Sequence, residues 1–303
     1  MMDRRHFLAV ASAVASAQLF GPRSPLSASG APEARELRGT LRRLTEPGSG
    51  DNRATFMPDG KTLLFASNRS GKSQIWRMDA TGHARRMHES MSNDYGRVAP
   101  NADGTKLCFS SDRTGQNAVY VLELASGHVT RVSDAAFWSF GPTWSSRDVI
   151  AFFSTKGGNA LNIWTVRPDG SQARQVTDQP GESRQPWCSP NGSSLALSAD
   201  HGTGAFAVEL LAVEGSGTRP LANRGTYEQP FWSPDGNRIA VSARIDEPHS
   251  RIYIIGADGS NLQPIHQAEG VDNVHPAWSP EGRRIVFTSG KGAEGAIYAF
   301  DLV

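Results

Sequence analysis

Short apolar runs recur along this chain at a near-constant interval: Leu63-Leu64-Phe65, Leu107-Cys108-Phe109, Ile150-Ala151-Phe152, Leu195-Ala196-Leu197, Ile239-Ala240-Val241 and Ile285-Val286-Phe287. Each follows a turn signal, Asp-Gly or a variant of it: Asp59-Gly60, Asp103-Gly104, Arg147-Asp148, Asn191-Gly192, Asp235-Gly236 and Glu281-Gly282. The second residues of these pairs are 44, 44, 44, 44 and 46 positions apart. Aromatic and Ser-Pro residues precede the turns, as in Trp187-Cys188-Ser189-Pro190, Trp232-Ser233-Pro234 and Trp278-Ser279-Pro280. After each apolar run comes a polar loop. An alternating stretch follows in five units, such as Ile75-Trp76-Arg77-Met78, Ile163-Trp164-Thr165-Val166 or Ile252-Tyr253-Ile254-Ile255. A second turn, Asp169-Gly170 or Asp258-Gly259, leads to a last short stretch such as Arg174-Gln175-Val176-Thr177. A period of this length marks a repeat architecture.

Each unit reads as four antiparallel strands. Asn-Gly and Asp-Gly supply the positive φ of tight hairpins, and Ile, Val, Tyr and Trp at alternate positions suit a pleated, half-buried surface. One such sheet has two apolar faces and cannot hide both; six packed radially hide them against one another. The expectation is an all-β, six-bladed propeller over residues 35–303. The sixth unit stops at Ala299-Phe300-Asp301-Leu302-Val303, after its third strand. The segment Leu41-Arg42-Arg43-Leu44-Thr45 looks like the fourth strands elsewhere (compare Arg131-Val132-Ser133), so it is expected to pair with Ile297–Leu302 and close the sixth blade.

Residues 1–34 stand outside this pattern. Arg4 and Arg5 form a positive start, Phe7 to Phe20 an apolar and small-residue stretch, and Ala15-Ser16-Ala17 a cleavage pattern. Arg4-Arg5-His6-Phe7-Leu8 resembles a twin-arginine export signal. Residues 1–34 are expected to be a cleavable export signal and linker, giving a periplasmic or secreted protein. No apolar run reaches the roughly 18 residues of a spanning helix, so contact with a membrane is expected to be peripheral at most.

The whole chain carries 31 Lys and Arg against 30 Asp and Glu. Residues 1–34 hold three arginines and two acids, leaving 28 basic and 28 acidic residues. A balanced charge argues against a nucleic-acid partner held by phosphates. The 2 cysteines are too few for a disulfide scaffold or a thiolate metal site. Cys108 and Cys188 fall two blades apart and are expected to be free, buried thiols.

The unit Trp-Ser-Pro-Asp-Gly, clearest at Trp232–Gly236, then an apolar strand, Ile-Tyr and Asp-Gly, resembles the propeller repeat of TolB over nearly all of residues 40–303. That family carries an α/β domain before its propeller, where this chain has only a short linker. In that family the propeller binds a peptidoglycan-associated lipoprotein, so the resemblance implies partner binding in the cell envelope and a role associated with biopolymer transport.

In a propeller the first strand of each blade lines the channel, and the loops leading into these strands converge on the axis. Counting seven back from each turn residue gives Arg53, Arg97, Gly141, Gln185, Gln229 and His275, a ring of mostly polar groups. Tyr95, Trp138 and Tyr227 nearby are expected to serve as stacking platforms, with Arg184 and Asn273 as further polar contacts. Aromatic residues and arginines are enriched at interaction hot spots. The expectation is a non-catalytic, monomeric protein that holds an envelope protein or peptide, with oligosaccharide as a further ligand class. No cofactor is expected. The alternative is a carbohydrate-active lyase or hydrolase working at the channel mouth, to which the acids Asp94 and Glu182 would contribute. His201, His249 and His275 have no short metal-ligand spacing, and no metal site is expected. His83, His88, His128 and His266 read as turn or edge residues.

Overall fold

The computed structural model describes residues 36–158, 160–213, 217–222 and 225–303. The expected export signal and linker lie outside the described residues. Six four-stranded antiparallel sheets follow one another along the chain. Blade one runs Asn52–Phe56, Leu63–Ser67, Gln74–Met78, Ala84–Arg86, and the next four repeat that order. The first strands, Asn52–Phe56, Asp94–Pro100, Ser139–Trp144, Ser183–Cys188, Thr226–Trp232 and Asn273–Trp278, each contact the first strand of both neighbours, which closes a ring around one axis.

The second strands are the most buried elements. Leu63–Ser67 and Ile150–Ser154 are buried at every position. This is why their apolar runs are continuous rather than alternating: both faces are covered by neighbouring blades. The only helical element among the described residues is a single turn, Gly292–Glu294.

The sixth sheet has the order Gly39–Arg43, Ala296–Leu302, Arg284–Ser289, Asn273–Trp278. Its outer strand comes from the other end of the chain, with Gly39 opposite Leu302 and Arg43 opposite Tyr298. The expected closure is therefore present. Thr45 Oγ1 accepts the Ile297 N–H at 3.0 Å, as Ser133 Oγ accepts from Val119 and Thr177 Oγ1 from Ile163, both at 2.9 Å. The borrowed strand thus ends on the same hydrogen bond as fourth strands that follow directly in sequence.

The six turns share one geometry, with a refinement of the expected chemistry. The second residue of each pair donates its N–H to the carbonyl three positions back, as Gly236 does to Ser233. Only this second residue has positive φ, from 57° at Asp148 to 72° at Gly236. The first residue of each pair does not, so these are type I turns closed by a left-handed residue rather than mirror-image turns. Asp148 tolerates the conformation as a short polar residue, and its Oδ1 accepts the Trp144 indole N–H at 2.8 Å.

Candidate functional site

Every first strand carries a β-bulge. Asn52 lies opposite Ala66 while Thr55 lies opposite Leu64, so one extra residue sits on the inner strand. The same shift occurs between Phe140 and Thr143, Arg184 and Trp187, Glu228 and Phe231, and Val274 and Ala277. The bulged residue is left-handed: Arg53, Gly141, Gln185, Gln229 and His275 have φ between 53° and 61°. Proline follows in four blades (Pro142, Pro186, Pro230, Pro276), where a bulge leaves no ladder bond for an N–H to make.

Blade two differs. Tyr95 lies opposite Ser110 and Ala99 opposite Cys108, so its bulge is one residue longer. The left-handed residue there is Gly96, with φ 77°. Arg97, which the count of seven placed in the ring, is the additional residue. It reaches across the axis, where its Nη2 donates to the Pro276 carbonyl at 3.0 Å. Its guanidinium carbon lies 5.0 Å from the Trp187 ring centre and 5.1 Å from that of Phe231. Trp187 and Phe231 stack with centroids 3.9 Å apart. Blades two, four, five and six therefore meet in a plug across the channel.

Above the plug, the bulged residues tie neighbouring blades together. Gln229 N–H donates to Gln185 Oε1 at 3.0 Å, and His275 N–H to Gln229 Oε1 at 2.7 Å. Arg53 N–H donates to Thr288 Oγ1 and Gly141 N–H to Ser110 Oγ, both at 3.0 Å. Gln185 and Gln229 thus use their side-chain oxygens as braces between blades. This compensates for the left-handed backbone, which costs a non-glycine residue about 1–2 kcal/mol.

Two positions before each bulge residue the side chain is withdrawn into the wall. Ser183, Tyr227 and Asn273 occupy this position, and Tyr227 is only 2% exposed. Tyr227 packs with Leu221, Trp232 and Tyr253, and Asn273 donates to the carbonyls of Ala268 and Val271. Neither presents a surface at the rim. The residues between, Asn52, Tyr95, Phe140, Arg184, Glu228 and Val274, form the loop-side mouth. Trp138 stacks on Phe140 at 5.4 Å, Tyr95 approaches Phe140 at 6.3 Å, and the Arg53 guanidinium lies 5.9 Å from the same ring. Tyr95, Trp138 and Arg53 are thus brought together around Phe140, which the seven-count missed because it sits one position away.

Charge is unevenly placed. Burial pulls the Arg53 guanidinium down to about 10; burial and the charge of Arg53 pull Arg97 down to about 9. Arginine stays charged at neutral pH, so these directions record how unfavourable that charge is in the channel. His275 is held well below the ordinary imidazole value by burial and by both arginines. Burial pushes the Glu228 carboxyl up against the opposing pull of Arg184 and Arg244. Asp94 and Glu182 do not form a free acid pair: Asp94 is fully buried and bound to His88 and Arg113, while Glu182 pairs with Arg184. His88 is therefore a half-buried partner of Asp94 rather than an edge residue. His201 pairs with the buried Glu209. Among the described residues no three His, Cys, Asp or Glu side chains come together to hold a metal. Cys108 and Cys188 are free and buried, and burial pushes the Cys188 thiol up to about 12.

Below the plug lies a cavity of about 300 Å³, lined by Trp144, Trp187, Cys188, Phe231, Trp232 and Trp278 together with the Ser-Pro turns. None of the ten predicted site residues borders it. A signal for it was present in the Trp-Ser-Pro at the ends of the first strands of blades five and six, Trp232-Ser233-Pro234 and Trp278-Ser279-Pro280.

The profile described as TolB beta propeller domain matches residues 80–233 and 222–303. A TolB homolog of Chlorobium luteolum is 31% identical over 138 residues, covering 46% of this chain and 31% of that protein. The putative TolB of Agrobacterium tumefaciens superposes with a TM-score of 0.68 at 16% identity, covering 89% of this chain and 100% of that one. An oligogalacturonate lyase in complex with manganese superposes with a TM-score of 0.58 at 18% identity, over 88% of this chain and 94% of that one. At these identities the structural likenesses show the fold, and the matched stretch is about a third of the curated relative's length. With the profile matching most of the six-bladed ring, the chain belongs to the TolB β-propeller family.

Proposed function

We propose that this chain is an exported, non-catalytic binding propeller that holds a protein or peptide of the cell envelope at its loop-side mouth. The observation that carries the reading is the shelf of Tyr95, Trp138 and Phe140 beside Arg53, set over a channel stopped by Arg97, Trp187 and Phe231. Rigid aromatic rings with an adjacent guanidinium supply contact area at little entropic cost. Asp94 and Glu182, the acid pair that the hydrolase reading would use, are engaged in ion pairs, which favours holding over hydrolysis. The Arg4-Arg5 start and the TolB homologues support an envelope location.

The test is photo-crosslinking in the producing cell. A photoreactive residue replaces Val274 at the mouth or Asp169 on an outer turn. The expected result is a discrete protein adduct from position 274, recovered in the envelope fraction and lost when Trp138→Ala is added, with none from position 169. Equal adducts from both positions, or none from 274, would remove the reading.

A further inference from the structure

Among the described residues, the middle of the channel holds more positive charge than carboxylates balance. Arg53 of blade one, Arg97 of blade two and His275 of blade six converge there, each within electrostatic reach of the other two. Arg53 Nη1 donates only weakly, to Asn52 Oδ1 at 3.3 Å, and Arg97 Nη2 to the Pro276 carbonyl at 3.0 Å. Arg97 Nε and both ring nitrogens of His275 are buried without a protein partner. Of the six mouth residues, the charged ones are Glu228 and Arg184. Glu228 faces Arg184 and Arg244, not the triad. The remaining ring members, Gln185 and Gln229, are neutral and engaged between blades.

Two half-buried cations and an imidazole without an anion among the described residues are an unfavourable arrangement unless something negative joins them. A guanidinium fork matches the planar pair of oxygens of a carboxylate, and charged donors make the stronger hydrogen bonds. We propose that Arg53, Arg97 and His275 form a carboxylate-binding site in the channel, beside the stacked Trp187 and Phe231 that Arg97 covers. The two guanidinium groups supply charge and paired donors; the neutral imidazole supplies a third donor. Because Arg97, Trp187 and Phe231 stop the channel, a chain inserted from the mouth ends here or turns back. The site deepens the binding reading, on which it rests only for the source of the carboxylate, a docked peptide.

Purified full-length protein is titrated with succinate while the His275 imidazole resonances are followed by NMR. Three acetylated, otherwise uncharged short peptides are compared: one with a free C-terminal carboxylate, the same peptide amidated, and an amidated version with one internal Asp. Succinate and at least one carboxylate peptide are expected to shift the resonances saturably, and the uncharged amide is not. The free-acid and Asp arms distinguish a chain terminus from a side chain. Arg53→Gln is expected to weaken binding about tenfold or more, as for a lost charged hydrogen bond. That variant keeps the backbone, since Gln185 and Gln229 already hold φ of 53° and 58° at the equivalent position, and its melting curve checks this. Chloride or sulfate binding as tightly as succinate, or unchanged affinity in a folded Arg53→Gln, overturns the site. Succinate binding with no peptide binding overturns the peptide source. A failed titration beside a successful crosslink from position 274 removes the site and leaves the binding reading; the reverse outcome does the opposite.

Discussion

Arg53, Gln185, Gln229 and His275 share a left-handed backbone at one register position of four different blades. The regular spacing of the turns made that position countable in advance. The count failed in blade two because an extra bulge residue moves the left-handed site to Gly96 and frees Arg97 to cross the axis. Tyr227 and Asn273 were misjudged for a related reason: the alternation turns them into the wall, and a bulge cannot be placed from residue types alone. His275 makes a stability prediction. Its folded-state value lies below the ordinary 6.5, so the neutral form is the one the fold favours, and its contribution is present above about pH 6.5 and lost as pH falls toward the folded value. Arg53 and Arg97 are the charges facing it; Gln185 and Gln229 are neutral. Urea denaturation at pH 7.5 and 5.5 should show a loss of stability that is reduced in His275→Gln. Gly141 makes a second prediction. Its φ is +61°, and an added Cβ would lie 2.5 Å from Phe153 Cε1. Gly141→Ala should cost about 2–4 kcal/mol in urea denaturation, from left-handed strain together with overpacking. Gly71→Ala, at φ +87° with open space around it, should show only the strain.

Among the elements, the strand Gly39–Arg43 was the most informative to read from sequence. Its end, Leu44-Thr45, matched Val132-Ser133 and Val176-Thr177, and Thr45 makes the hydrogen bond that Ser133 and Thr177 make. Leu37, Leu41 and Leu44 pack on the core cluster shared by blades five, six and one. Gly39 allows the close approach: an added Cβ would meet Phe300 Cζ at 2.3 Å and the Asp301 carbonyl at 2.4 Å. Deleting residues 37–45 should lower the melting temperature by about 10 °C or more, given the apolar burial lost. Calorimetry checks it, and an unchanged transition would contradict the closure. The third strand of blade four, Ala207–Ala212, was not legible. It lacks the aromatic alternation of its counterparts and carries Glu209, which is buried because His201 pairs with it. Tertiary pairing there outweighs the local pattern.

On the scale of the molecule, the abundance of glycine and proline resolves into hairpin turns and bulges, and residues 36–303 into one ring. The charge balance of residues 35–303 hides a strong local inequality, with cations gathered at the axis and carboxylates paired in the walls. Composition sums over positions and so cannot show where charges lie; the plug was hidden for the same reason. The register from Gly39 to Leu302 also imposes an order in time. During synthesis the closing strand is among the earliest parts of the propeller made, and its partner is the last. Until Ala296–Leu302 emerges, the early strand has no place in a sheet, and the growing blades form an arc with bare flanks. Long-range pairing of this kind is slow to form. The final step of folding is thus a single joining event, and the unfinished arc is the interval in which this protein is most open to misassembly.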